Sequence, residues 1–144
     1  MIKIRNYSPK DYESVKQILQ EADLFDKVWD SEENLSGMIS KNPQSILVAE
    51  ENGKIVANVF LISYGLQVSW IFRLAVKKEY RKHGIASELI KFAEKVLRKK
   101  GALEIGLFVD SKNEELLSFY KKRSFKTSEN PLTYIYLWKE LPKP

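Results

Sequence analysis

Cysteine is absent from this chain and histidine occurs once, at His83. Without thiolates there is no disulfide framework, no thiolate metal site and no cysteine nucleophile, and a single imidazole cannot form a histidine cluster. No metal ligand set is expected, and hydrolysis by a Cys/His pair is set aside. Long apolar runs are also missing: no window approaches the roughly 18 uninterrupted apolar residues of a spanning helix. The opening Met1-Ile2-Lys3-Ile4-Arg5 alternates where a signal peptide would show an apolar block. The expectation is a soluble, cytoplasmic protein with no membrane partner. Internal repeats, low-complexity tracts and linkers are absent as well. The 144 residues are therefore read as one domain spanning 1–144. A chain of that size buries about 68–70% of its unfolded surface without staples.

What the chain has is positive charge: a formal net +5 and a pI near 9.3. Clustered Lys and Arg attract phosphates, so nucleic acid is one reading and a smaller anionic ligand another. Charges of both signs make up 30% of the residues and are interspersed, as on an ordinary solvated surface. Nucleic-acid binding is kept as the weaker alternative.

Along the chain, residues 1–7 alternate like a half-buried strand. Ser8, Pro9 and Asp11 then form a helix start with a capping-box-like pattern before Tyr12, Val15, Ile18, Leu19 and Ala22 at helical spacing. The stretch 23–42 reads as a loop and a short helix built on Leu35, Met38 and Ile39, closed by Pro43. Two strands, 45–51 and 54–64, joined by Asn52-Gly53, predict a hairpin. A third strand follows over 66–76, then a basic loop, 77–84. From Ile85, the positions Leu89, Ile90, Ala93, Val96 and Leu97 predict a helix stopped by Arg98-Lys99-Lys100 and Gly101. A strand over 103–109, a short helix with Leu116, Leu117, Phe119 and Tyr120, and a C-terminal pair of strands restarting at Phe125 and over 132–138 complete the pattern. The order β-α-α-β-β-β-α-β-α-β-β implies an α/β (α+β) fold, one mixed, mostly antiparallel sheet flanked by helices.

One segment carries chemistry: Leu74-Ala75-Val76, then Arg81-Lys82-His83-Gly84-Ile85-Ala86-Ser87. A helix start leaves about four backbone N–H groups unpaired and carries roughly half a positive charge, so it holds a phosphate if the backbone can come close. Gly84 and the small Ala86 permit that approach, and Arg81, Lys82 and His83 add donors, which favours a diphosphate over a carboxylate. A pattern as short as Arg-x-x-Gly-x-Ala recurs by chance, with Gly84 merely turning the chain. Its place between a strand and an amphipathic helix gives it weight. Neither a Walker loop nor a dinucleotide fingerprint is present.

These residues resemble the GNAT superfamily of N-acetyltransferases, whose acetyl-coenzyme A signature is (Arg/Gln)-x-x-Gly-x-(Gly/Ala) at this junction. The opening strand and helix, the Asn52-Gly53 hairpin, and Asn113 followed by Phe119-Tyr120-Lys121-Lys122-Arg123-Ser124-Phe125 are similar to that family's elements in the same order. The resemblance implies a single GNAT-type domain that uses acetyl-coenzyme A to acetylate a primary amine of a small molecule or of a peptide or protein N-terminus, as monomer or homodimer. It implies that the backbone of Leu74, Ala75 and Val76 pairs with the pantetheine arm. It further implies that Arg81, Lys82, His83, Gly84, Ile85, Ala86 and Ser87 cradle the pyrophosphate, that Asn113 hydrogen-bonds the cofactor arm, and that Tyr120 stands near the sulfur. For the acceptor it points between the first two helices and to the last strands, here Trp29, Asp30 and Glu33 with Tyr134 opposite, among other acids and aromatics of those stretches. The stretch 23–30 also resembles a bacterial GNAT subgroup of unassigned substrate.

Four departures bear on catalysis. An alkylamine with a pKa of about 10.4 is roughly one part in a thousand neutral at pH 7, so something must take its proton. Trp70 stands where some relatives carry a glutamate, and Phe108 where ribosomal-protein N-terminal acetylators carry one. Ala57 replaces a frequent glycine and Ser124 the glycine of Tyr-x-x-x-Gly-Phe. The expected mechanism has backbone N–H groups at a splayed part of strand 66–76 polarising the thioester carbonyl while Tyr120 protonates the departing thiolate. A catalytically weak coenzyme A-binding module remains open as an alternative.

Overall fold

The computed structural model describes residues 1–63 and 68–127. Internal packing divides the chain into two compact units, 1–108 and 109–144. In the first, five strands form one sheet in the order β1 (Ile2–Asn6), β2 (Ile46–Glu51), β3 (Lys54–Ser63), β4 (Val68–Val76), β5 (Glu104–Gly106). Neighbours are antiparallel except β4 and β5, which run parallel. The sheet is mixed and mostly antiparallel, as the sequence implies.

The hairpin between β2 and β3 forms at Asn52-Gly53, where both residues take positive φ, 50° and 76°. That is the type I′ geometry whose twist matches the flanking strands. Along β2, every residue from Ile46 to Ala49 is fully buried. Alternate residues of a strand face opposite ways, so both faces of the sheet are covered. One face carries α1 (Tyr12–Glu21) and α2 (Glu32–Lys41), with Val15, Ile18, Leu19 and Leu35 packed on Ile46, Val48 and Phe60. A further helix, α3 (Ile85–Lys99), packs across β2, β3 and β4 with Ile85, Leu89, Ile90, Ala93, Val96 and Leu97 buried. Truncating fully buried Leu89 or Leu97 to Ala would cost about 2–5 kcal/mol.

Local chemistry sets the helix ends. A short 3-10 turn over Pro9–Asp11 precedes α1, and the Asp11 carboxylate accepts the Ser8 N–H at 2.9 Å, the reciprocal half of a capping box. Ser31 Oγ accepts the Asn34 N–H at 3.1 Å at the head of α2. At the foot of α3 the Ala102 N–H reaches back to Leu97 O at 3.1 Å across Gly101, a glycine-stopped end.

One element departs from the sequence expectation. The strand expected over 103–109 is ordered as a strand only at Glu104–Gly106, because its pairing with β4 ends at Trp70 opposite Gly106. Leu103 and Phe108 are correspondingly exposed. In the second unit the described element is α4 (Glu114–Lys121). The expected last strands, including most of the run restarting at Phe125 and all of 132–138, lie outside the described residues. No described helix is long and apolar enough to cross a membrane, and no described group of acidic or histidine side chains could hold a metal.

Candidate active site

The glycine at the head of α3 is the most informative residue of the site. Gly84 is the N-cap residue at φ 81°, ψ 4°, a left-handed conformation that only glycine takes without strain. A Cβ built there would meet no atom of the other described residues within 4 Å, so among them the space beside this helix start is open. The first intrahelical bond runs from the Glu88 N–H to Gly84 O at 3.1 Å, and Gly84 offers no capping side chain to the amides of the helix's first turn. Lys82 is left-handed too, at φ 65°. Arg81, Lys82, His83 and Gly84 are all exposed, Ala86 and Ser87 half-buried, and Ile85 buried as the first apolar anchor of α3. Open space, an uncapped helix N-terminus and flanking cations are what an anion of diphosphate size requires.

Arg81 is only partly available to such an anion. Its Nε donates to Val76 O at 2.9 Å, and its Nη2 lies 3.8 Å from Glu21 Oε1. The same Glu21 oxygen also accepts the Lys78 N–H. The end of α1 therefore grips the 3-10 turn Lys78–Tyr80 and sets the path of the loop into α3. Nothing in the one-dimensional pattern marks Glu21 for this.

Upstream, β4 contains a bulge. Asn58 faces Ala75 and Phe60 faces Phe72, so Arg73 and Leu74 together stand opposite Val59. Arg73 sits at φ 52°. Leu74, Ala75 and Val76 follow directly, and Ala57, at the position of the frequent glycine, faces Val76. Because β5 pairs with β4 only through Trp70, the strands part just before the bulge, and no strand among the described residues covers that edge of Ile71–Val76. At the fork, the Trp70 and Phe108 rings stack in parallel with centroids 5.2 Å apart. Gly106 makes room for this: a Cβ on it would fall 2.6 Å from the Trp70 ring.

The loop between α1 and α2 carries the residues expected to meet the acceptor. Trp29 is 67% exposed, and its N–H and that of Val28 both donate to Asp26 Oδ1, at 2.9 and 2.8 Å. Those two bonds hold the Asp26 carboxyl below its usual range. Glu33 is exposed in the first turn of α2. Asp30 is different: it is 2% exposed, with its carboxylate already engaged by Arg73 at 3.2 Å. It is not a free anion awaiting an amine. Tyr134 lies outside the described residues.

In the second unit, Asn113 caps α4, its Oδ1 accepting the Leu116 N–H at 3.0 Å. Its carbonyl oxygen thus has a local task besides the cofactor contact the resemblance implies. Tyr120 is buried edge-on against Phe119 and Phe125, with centroids 5.1 and 5.3 Å away. Burial pushes its hydroxyl up to about 12, with nearby Arg123 acting the other way. Ser124 adopts φ 69° just past α4, a left-handed conformation that glycine takes without strain.

The sequence profile described as "Acetyltransferase (GNAT) family" matches residues 4–125. The chain belongs to the GNAT acetyltransferase family. It is 31% identical over 126 residues to an acetyltransferase of Pectobacterium atrosepticum, covering 88% of this chain and 89% of that one. Among solved structures it is similar to the PaiA N-acetyltransferase of Thermoplasma acidophilum in complex with coenzyme A, at 27% identity and a TM-score of 0.78 over 90% of this chain and 92% of that one. Ard1 of Thermoplasma volcanium superposes with the same TM-score at 28% identity, over 88% and 84% of the two chains. This GNAT chain is therefore an acetyltransferase by family.

Proposed function

We propose that the protein binds acetyl-coenzyme A at the head of α3 and transfers its acetyl group to a primary amine of a small molecule or of a peptide N-terminus, in the cytoplasm. The observation that carries the reading is Gly84, left-handed, with open space where a side chain would stand and exposed Lys82 and His83 beside it. In this reading Ile85, Ala86 and Ser87 present backbone donors to the diphosphate, and Leu74, Ala75 and Val76 pair with the pantetheine arm along the edge of β4 left open beyond Trp70. Asn113 contributes a contact to the arm.

Bound acetyl-coenzyme A supplies an activated acyl group as a thioester. The chain's own task is to orient that carbonyl on peptide N–H groups near the Arg73 bulge and to hold a proton for the thiolate. Tyr120 can serve the second task as a hydrogen-bond donor to the departing sulfur: with its hydroxyl pushed up to about 12 it stays protonated throughout the physiological range, and full transfer of that proton to the thiolate is uphill. A thiol of pKa about 8.5 leaves readily, so the help required of Tyr120 is modest. Trp29 and Glu33 flank the acceptor's approach.

The test is thiol release from acetyl-coenzyme A with a panel of polyamines, amino acids and peptides. Turnover of one class supports the reading, and silence across the panel counts against it. The stack of Trp70 on Phe108, at both positions where relatives carry a glutamate, favours a second reading, a coenzyme A-binding module of weak activity. Calorimetric binding of coenzyme A without any thiol release would select it.

A further inference from the structure

The loop between α1 and α2 is tied to the bulge in β4 by three residues far apart in sequence. Asp30 Oδ1 accepts Arg73 Nε at 3.2 Å, and Asp30 Oδ2 lies 3.2 Å from Arg73 Nη2. Oδ2 also accepts the Asp26 N–H at 2.8 Å, and the Asp30 carbonyl accepts the Tyr12 hydroxyl at 3.0 Å. At the other end, the Arg73 carbonyl accepts Asn58 Nδ2 at 2.8 Å. Asn58 is fully buried in an otherwise apolar stretch of β3, and its Oδ1 has no partner among the described residues.

Packing alone does not account for this arrangement. A buried ion pair is often no more stabilising than apolar side chains of the same volume, so its value lies in fixing one geometry. A non-glycine residue at φ 52° and a buried asparagine with an unmet acceptor both add strain to the same spot. That spot is the bulge whose peptide groups are proposed above to orient the thioester, and the segment tied to it is the one that exposes Val28 and Trp29.

We propose that Arg73, Asp30 and Asn58 are positioning residues: they lock the bulge to the 24–31 loop, so that the thioester end of the site and the loop that meets the amine keep one relative geometry. The proposal rests on the acetyltransferase reading above. It assigns Asp30 to alignment, acting through Arg73, instead of to direct contact with the acceptor.

Arg73→Gly separates the tie from the bulge, because glycine accepts the left-handed conformation while the guanidinium is lost. Asp30→Asn keeps the size and removes the charge. A misplacement near 1 Å costs about 100-fold in rate, so both variants should lose roughly 10- to 100-fold in kcat/KM for the amine, through kcat and the acceptor's KM. Their calorimetric Kd for coenzyme A should stay within about twofold of wild type, a split that general unfolding would not give. Either variant, folded by circular dichroism, with wild-type kcat and acceptor KM overturns the proposal.

Should neither variant fold, hydrogen exchange on the wild type decides. Saturating coenzyme A should slow exchange of the Asp26 amide, which donates to Asp30, since coupling between the two ends is reciprocal. Unchanged protection across 24–31 with coenzyme A bound overturns the tie while leaving the cofactor site intact. Absence of coenzyme A binding overturns the acetyltransferase reading, and the tie's catalytic role with it.

Discussion

Replacing Gly84 by Ala separates two consequences of one conformation. At φ 81°, an L side chain costs about 1–2 kcal/mol. For a chain of this size that lowers Tm by roughly 2–8 °C. The methyl would meet no atom of the other described residues within 4 Å, so they add no steric penalty. Any loss of ligand affinity must then come from the space outside, which in this account belongs to the pyrophosphate. Pushing the phosphate off one backbone amide forfeits a charge-assisted hydrogen bond of about 1.5–3 kcal/mol. At 1.4 kcal/mol per decade, affinity for coenzyme A falls about 10- to 150-fold. Isothermal calorimetry with coenzyme A, paired with competition by pantetheine, which lacks the diphosphate, reads the difference. Coenzyme A should weaken by that factor while pantetheine binds as to the wild type. A variant with lowered Tm and unchanged coenzyme A affinity would refute the placement of the diphosphate.

Three further outcomes follow from single residues. Tyr120→Phe should lower kcat by about 10- to 100-fold with little change in acetyl-coenzyme A KM. Because burial holds the Tyr120 hydroxyl up at about 12, the wild-type pH–rate profile should show no falling limb from this group below about pH 11. Asp11 is buried; burial alone would raise its carboxyl, but the hydrogen bonds from Arg5 and Ser8 outweigh that and hold it below the usual range. A lowered folded pKa contributes stability above the unfolded value of about 3.9 that is lost as pH falls through the folded one. Asp11→Asn should cost about 2 kcal/mol at pH 7, since Arg5 is partly exposed and keeps Glu50, and urea melts of the variant should show a shallower acid limb. Ser124→Gly should raise stability by about 1 kcal/mol in the same melts, relieving the left-handed φ of 69°.

Features governed by neighbouring residues were legible in the sequence. Asn52-Gly53 announces a hairpin because both residues tolerate positive φ, and Gly84 and Gly101 bracket α3 because one permits the turn into the helix and the other ends it. The strand expected over 103–109 forms only at Glu104–Gly106. Apolar alternation tells which residues can pair, whereas the point at which the neighbouring strand departs is a property of β4. Likewise, the bulge and its tie to Asp30 join residues 43 positions apart, and the only sequence hints were a lone asparagine and a lone arginine inside apolar strands. The resemblance points to acids of the stretch between α1 and α2 for the acceptor. Folding engages Asp26 in a turn and Asp30 in an ion pair, which leaves Asp23, Glu32 and Glu33 exposed there.

Whether the start of α3 seats the diphosphate can be read from the backbone amide resonances of the 15N-labelled protein during titration with coenzyme A. Saturable shifts are expected to be largest at Lys82 to Ser87, with a second set at Leu74 to Val76. Saturable binding whose shifts fall elsewhere, with the amides of Gly84, Ile85 and Ala86 unmoved, would contradict that placement.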